Sequence, residues 1–256
     1  AATENDLGAG HDRRMKHWRE AQFKVADFTV TATDSCYRVT LSYEPIQDFA
    51  QVFMTYNVYA DGVIEAVEEF KDAGNLENGK LIARIGMEFS MPGEYSTLEY
   101  FGLGPFENYS DRNSSALMGH YVQRVEDQYH YGYIRPQESG THTGLRWMKV
   151  TDDNGTGLMI TSSEKFSASA LPLGRRDIDM FITGGKRSDN GDQRHSLELK
   201  KAACENVRSL GKTYVNFDLK QMGLGCEDSW GAWPDEKYLV KGGPMSFYFV
   251  ISPVNN

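Results

Sequence analysis

The sequence predicts an all-β protein, a large antiparallel sandwich built from two sheets. From Phe28 to Ile251 apolar and polar residues alternate with a period of two, the pattern of strands with one buried face. Two turn signals, Asp61-Gly62 and Asp152-Asp-Asn-Gly155, predict hairpins between neighbouring strands. The chain has 256 residues, 40% of them hydrophobic, which is enough for one packed domain.

The first 24 residues are predicted to be a linker and a short helix that precede the sandwich. Residues 1–10 are polar and contain glycine, which is typical of a linker. Asp12 is a suitable N-cap for a helix running to about Gln22, and Met15 and Trp18 follow at i, i+3 spacing. Residues 25–256 then form the supersandwich.

About twelve strands are predicted in that larger part. Between them lie turn residues, and the polar stretch 172–195 is expected to be a surface excursion. The strands are expected at 28–33, 37–43, 51–59, 63–70, 81–89, 97–101, 145–150, 157–161, 166–171, 195–202, 214–219 and 245–251.

Charge and composition argue against several classes of function. The chain carries 36 acidic and 27 basic residues, and no basic run that could follow a phosphate backbone, so nucleic acid is not an expected partner. Uncharged apolar stretches are too short to span a bilayer, so no membrane partner is expected either. The 3 cysteines and 6 histidines are widely spaced and suggest neither a disulfide framework nor a metal site.

Three loop segments combine aromatic rings with polar groups, a combination that suits a sugar. The first segment, residues 100–112, contains the carboxylates of Glu107 and Asp111 near Arg112. A structural ion-pair network is favoured there over a catalytic carboxylate pair. The third contains Trp230 and Trp233, of which Trp233 is expected to pack into the core and Trp230 to face a partner. The polar residues of the first two segments are Glu107, Asn108, Asp111, Arg112, Arg135 and Glu138.

At these segments the sequence resembles the lac-type β-galactosidases of glycoside hydrolase family 2. The first motif, Tyr100–Arg112, resembles their W-x-G-x-G-P-x-E-N-Y-x-D-R. The second, Tyr133–Gly140, resembles Y-x-x-P-x-E-N-G, and the third, Met222–Gly231, resembles M-G-x-G-G-D-D-S-W. Order and spacing agree over nearly the whole chain. The departures are Tyr100 for tryptophan, Ser139 for asparagine, Cys226 for glycine and Glu227 for aspartate.

The resemblance implies the C-terminal, small-chain domain of a retaining β-galactosidase, a supersandwich related in fold to galactose mutarotases. It places both catalytic glutamates, and the ligands of Mg and Na, on an upstream (β/α)8 barrel, so this fragment alone would hold no catalytic residue or cofactor and be inactive. It implies that Trp230, with Asp228 and Ser229, contacts the galactoside substrate. The barrel and further copies of the protein would be its partners.

Two other functions remain open from the residues. A stand-alone aldose mutarotase needs a histidine base and a carboxylate on one sheet face, and His120 or His142 with Glu138 could serve. A carbohydrate-binding module without chemistry is the other alternative.

Overall fold

The computed structural model describes residues 1–19, 21–46, 50–72, 81–131, 133, 137–178, 211–225, 227–228 and 232–255. Within them no helix is long and apolar enough to cross a membrane.

The N-terminal segment forms three short helices, α1 (Glu4–Ala9), α2 (His11–Arg14) and α3 (Lys16–Arg19). Thr3 Oγ1 accepts a hydrogen bond from the N–H of Asp6 at 3.1 Å, and the Asp6 carboxylate accepts one from the Thr3 N–H at 2.7 Å. This capping box starts the helical structure before Asp12. Gly10, with φ 73°, then ends α1. The expectation of a linker over residues 1–10 and one helix from Asp12 to about Gln22 was therefore wrong in its bounds.

Eleven strands are present among the described residues, joined by antiparallel pairing, as expected for this fold class. Two short 3-10 turns accompany them, at Val125–Asp127 and Glu236–Tyr238. The strands are β1 (Val25–Ala32), β2 (Cys36–Tyr43), β3 (Ala50–Tyr59), β4 (Ile64–Asp72), β5 (Arg84–Pro92), β6 (Thr97–Gly104), β7 (Leu117–Arg124), β8 (His142–Thr151), β9 (Gly157–Leu171), β10 (Lys212–Gln221) and β11 (Met245–Val254).

The strands join in one continuous hydrogen-bonded sheet instead of the two that the sequence suggested. Its order is β1-β2-β3-β4-β11-β9-β8-β6-β7, while β10 pairs with both β9 and β5. The long strand β9 makes this possible, since residues 157–162 pair with β11 and residues 167–171 pair with β10. The sequence analysis predicted two strands, 157–161 and 166–171, where the structure has the single strand β9, because the charged pair Glu164-Lys165 interrupts the apolar pattern.

Both predicted hairpins are present. Gly62 (φ 85°) lies between the paired strands β3 and β4, and Gly155 (φ 81°) between β8 and β9. A left-handed backbone of this kind costs little only for glycine. The strand expected at 195–202 lies outside the described residues, and β7 was not anticipated.

The main core lies between the layers of this curved sheet and is rich in aromatic rings. Phe217 on β10 contacts Phe249 on β11 with ring centroids 4.9 Å apart, and Phe247 lies 5.2 Å from Phe249. All three rings are almost completely buried. At one end of the core, Trp18 of α3 packs on Phe70 and donates its Nε1–H to the Leu81 carbonyl at 2.7 Å. The N-terminal helices are therefore fixed to the sandwich.

Candidate functional site

The first and third motifs meet at Asp111. Its Oδ2 accepts a 2.8 Å hydrogen bond from the backbone N–H of Gly225. A Cβ at Gly223 would lie 2.7 Å from the Asp111 carboxyl group, so a larger residue there would displace it. Asp111 Oδ1 is buried and has no hydrogen-bond partner among the described residues. This carboxylate fixes the start of the loop that leads towards Trp230.

The first and second motifs meet at Glu107. Its Oε2 accepts a hydrogen bond from the Gly140 N–H at 2.7 Å. Its Oε1 accepts from Arg112 Nη2 at 2.7 Å and from the Tyr133 hydroxyl. Burial, together with the hydrogen bond to Glu107, raises the pKa of Tyr133 to about 12, which keeps this hydroxyl a donor at neutral pH. The Glu107 carboxylate is thus fully engaged in holding two loops together.

The Asn108 carboxamide is hydrogen-bonded to neighbouring backbone and side-chain groups. Its Nδ2 donates to the carbonyls of Leu103 and Phe106 at 2.9 and 3.0 Å. Its Oδ1 accepts from the N–H and the hydroxyl of Thr143 at 3.1 and 2.5 Å. The side chain is buried and its carboxamide makes four hydrogen bonds, so it stabilises the turn after β6.

Glu138 of the second motif belongs to a buried charge network that the sequence analysis missed. Arg84 Nε and Nη2 donate to the two Asp218 oxygens at 3.0 and 2.5 Å, and Arg84 Nη1 lies 3.5 Å from Glu138 Oε1. Arg175 Nη2 lies 3.6 Å from Asp218 Oδ2. Burial opposes ionisation of Glu138, whereas the positive charges of Arg84 and Arg175 favour the carboxylate and act to lower the Glu138 pKa.

The N-terminal helices cover the end of the third motif's loop. Asn5 Nδ2 donates to the Ala232 carbonyl at 3.1 Å. The His11 ring stacks on the Trp233 ring with centroids 3.7 Å apart, and the Arg14 guanidinium lies 6.0 Å from the same ring. Trp233 was expected to pack into the sandwich core; in the structure its ring stacks on His11 of α2. The aromatic partner of Trp233 is therefore His11 in the N-terminal helical segment.

A cavity of about 390 Å³ separates these helices from the ends of β5 and β10. The lining combines apolar side chains of the N-terminal helical segment and β5 with the side chains of the charge network. Its lining includes Met15, Trp18, Met87, Arg84, Glu138, Arg175, Asp218 and Gln221.

The structure describes only some of the remaining predicted site residues. Asp228 is exposed, and its Oδ1 accepts a hydrogen bond from the Ala232 N–H at 3.1 Å. Ser229, Trp230 and Arg135 lie outside the described residues. Asp111 joins the first motif to the third, and Glu107 joins the first motif to the second. The Gln221 side chain, at the end of β10 and directly before the third motif, donates to Glu138 of the second motif at 3.1 Å.

The two histidines considered for mutarotation lie in different surroundings from Glu138. His142 is buried between the Tyr100 hydroxyl at 3.0 Å and Gln128 Oε1 at 2.8 Å, and burial lowers its pKa to about 4. Both ring nitrogens are thus occupied by structural partners. His120 is exposed and contacts Glu99 at 2.9 Å. Neither geometry pairs a histidine with Glu138. In the described part of the chain no cluster of three or more His, Cys, Asp or Glu side chains could hold a metal ion.

Comparison with known proteins gives the family. A family model described as "Beta galactosidase small chain" matches residues 1–251. The chain belongs to the β-galactosidase small-chain family. A β-galactosidase of Streptococcus thermophilus is 31% identical over 260 residues, which cover 100% of this chain and 23% of that protein. One from Priestia megaterium is 30% identical over 242 residues, covering 94% of this chain and 21% of that protein. This small-chain region thus spans less than a quarter of these relatives.

Among solved structures, similarity to this small-chain region is weak. A galactose mutarotase related enzyme from Lactobacillus acidophilus aligns with 7% identity and a TM-score of 0.38, covering 90% of this chain and 72% of that one. The galactosidase domain of an α-galactosidase-sucrose kinase aligns with 9% identity and a TM-score of 0.42, covering 91% of this chain and 27% of that one.

Proposed function

We propose that this chain is the C-terminal region of a family 2 glycoside hydrolase, a retaining β-galactosidase that releases terminal β-D-galactose. The observation that carries the proposal is the meeting of three separate motifs around one loop. Asp111 holds Gly225, and Glu107 holds Gly140. These contacts join residues that are far apart in sequence, and the segment that Asp111 binds at Gly225 continues in sequence to Asp228, Ser229 and Trp230.

Trp230 is proposed to form one wall of the galactose pocket. An indole presents a flat apolar face that packs against the C–H face of a pyranose. Asp228 and Ser229 would supply polar contacts beside it; Asp228 is exposed and held by the Ala232 N–H. The α1–α2 segment packs on Trp233, which follows this loop in the sequence.

The chemistry itself is assigned to the rest of the polypeptide. Retention requires two carboxyl groups about 5–5.5 Å apart, one as the nucleophile and one as the acid and base. The charged side chains described above are instead engaged in ion pairs and hydrogen bonds. The two glutamates, and the sites for Mg and Na, are proposed to lie on an upstream (β/α)8 barrel, against which the third motif would pack. Further copies of the protein are proposed as oligomeric partners.

The test of the pocket wall is Trp230→Ala in the full polypeptide, with Trp147→Ala on β8, outside the three motifs, as the matched control. Loss of one aromatic anchor should weaken galactoside binding by roughly 1–3 kcal/mol, which is about five- to a hundredfold in KM. The control should leave KM within about twofold. An unchanged KM in the Trp230 variant, with its fold intact, would rule out the wall.

The proposal that the catalytic glutamates lie outside this chain is tested by assaying the 256-residue chain alone with a chromogenic β-galactoside. No turnover above background is expected. Turnover that disappears on Asp111→Asn or Glu138→Gln would place catalysis in this chain and contradict the proposal. In the full enzyme, nuclear magnetic resonance of the first-formed sugar should show β-galactose.

A further inference from the structure

The segment that contains Trp230 begins and ends at one place in the structure. A Cβ built at Gly225 would lie 2.7 Å from the Ala232 carbonyl oxygen, so the backbones on the two sides of this segment are in contact. Asp228 Oδ1 also accepts a hydrogen bond from the Ala232 N–H at 3.1 Å. Residues 229–231 therefore lie, in sequence, between two residues that are hydrogen-bonded to each other.

The two sides of this contact are held by different parts of the chain. On the first side, the Asp111 carboxylate accepts a hydrogen bond from the Gly225 N–H at 2.8 Å. On the second side, Asn5 Nδ2 of α1 donates to the Ala232 carbonyl at 3.1 Å. Both backbone polar groups of Ala232 are therefore bonded to side chains, which fixes the backbone two residues after Trp230.

Asn5 is buried although only part of its carboxamide is bonded. The residue is 9% exposed, and its Oδ1 is buried without a hydrogen-bond partner among the described residues. A buried polar atom without a partner lowers stability, and asparagine is a poorer helix former than alanine or leucine. Stability alone therefore does not account for an asparagine at this position, whereas the hydrogen bond to Ala232 does.

A second contact joins the same two segments. His11 is 3% exposed and stacks on Trp233 with ring centroids 3.7 Å apart and ring planes at 25°. His11 follows Asn5 by six residues, and Trp233 follows Ala232 directly. The stack and the hydrogen bond together hold α1 and the start of α2 beside the end of the segment that contains Trp230.

We infer that Asn5 is a positioning residue of the sugar pocket, acting on Trp230 through its hydrogen bond to the Ala232 carbonyl. This inference rests on the proposed function, in which Trp230 forms one wall of that pocket. In this role Asn5 does not touch the sugar. Its donor fixes the backbone next to Trp230, so that the indole meets the pyranose in one orientation.

The test is Asn5→Asp in the full polypeptide, which keeps the shape of the side chain and replaces the donor with an oxygen that repels the Ala232 carbonyl. KM for a chromogenic β-galactoside should rise about fivefold or more, with kcat changed less than about twofold, because binding is lost in the substrate complex and the transition state alike. A purely structural role would lower the active fraction, and hence kcat, at constant KM. Asn57→Asp on β3, where Asn57 Oδ1 accepts from Arg38 Nε at 3.0 Å, controls for the added charge and should change neither constant.

A double variant separates this inference from the proposed function. If Asn5 acts through Trp230, Asn5→Asp combined with Trp230→Ala should have a KM within about twofold of Trp230→Ala alone, because both changes remove the same contact. An unchanged KM for Trp230→Ala would contradict the proposed function and this inference with it. A raised KM for Trp230→Ala with an unchanged KM for Asn5→Asp, or effects that multiply in the double variant, would overturn the role of Asn5 alone. If Asn5→Asp does not fold, Asn5→Ala, which removes the donor without adding charge and favours the helix, is judged by the same outcomes.

Discussion

Glu68 should make the protein less stable as the pH rises from 4.5 to 8. It lies on β4 between Met54 and Phe247, is 8% exposed, and its Oε2 has no hydrogen-bond partner among the described residues. Burial, followed by the negative charge of Asp218, raises the pKa of Glu68 to about 8. A carboxyl group in this position is neutral at pH 7 in the folded state and ionised in the unfolded state.

The sign and size follow from the two pKa values. Below pH 4.5 both states hold the proton, and the stabilisation is complete. As pH rises towards 8 only the folded state holds it, so the free energy of unfolding falls. The difference between about 8 and 4.5 is about 3.5 pH units, which corresponds to at most roughly 5 kcal/mol.

The measurement is urea unfolding of the chain and of Glu68→Gln at several pH values. Glutamine has nearly the same shape and does not ionise, so Glu68→Gln should gain stability relative to the parent as pH rises, by up to about 1.4 kcal/mol per pH unit. Glu69→Gln, exposed on the other face of β4, is the matched control. A difference between Glu68→Gln and the parent that stays constant within about 0.5 kcal/mol from about pH 5 to 8 would refute the reasoning.

Three other substitutions test features of the fold and of the site. Asp111→Ala should lower the free energy of unfolding by about 1–3 kcal/mol and reduce kcat/KM in the full enzyme, because the Gly225 N–H loses its acceptor; Asp111→Asn, which retains an oxygen, should lose less. Gly62→Ala should cost about 1–2 kcal/mol in chemical unfolding since φ is 85°, whereas Gly8→Ala in α1, where a Cβ meets nothing within 4 Å, should be neutral or stabilising. His142 has a folded pKa of about 4 against 6.5 unfolded, so its stabilisation is present above pH 6.5 and lost as pH falls towards 4; an acid titration of His142→Gln should show a weaker loss over that range, and an identical loss would contradict the assignment.

Much of the fold was readable because strand periodicity is a local property. The hairpins at Gly62 and Gly155 and most strands followed from alternation and turn residues. β7 was missed because it is an edge strand whose apolar residues, Leu117, Met118 and Val122, are exposed. A strand that buries little has no strong pattern to reveal it.

The site was only partly readable, since its contacts join residues distant in sequence. The motifs indicated that Glu107 and Asp111 mattered, but not that they hold Gly140 and Gly225. The Arg84–Asp218 pair spans 134 positions and depends on the register of β5 with β10. The sequence showed an arginine at the start of β5 and an aspartate within β10, each beside apolar residues, but their pairing follows only from the sheet.

The position of β11 has a consequence for how the protein is made. β11 inserts between β4 and β9, in the middle of the sheet, although it is the last of the described strands to leave the ribosome. Until Met245–Val254 emerges, the meander β1–β4 has an unsealed edge on its β4 side, and β9 lacks one neighbour. Such non-local closure is slow and leaves strands open to wrong partners. A chain that ends shortly before Met245 would therefore contain two half-sheets with no central strand to join them.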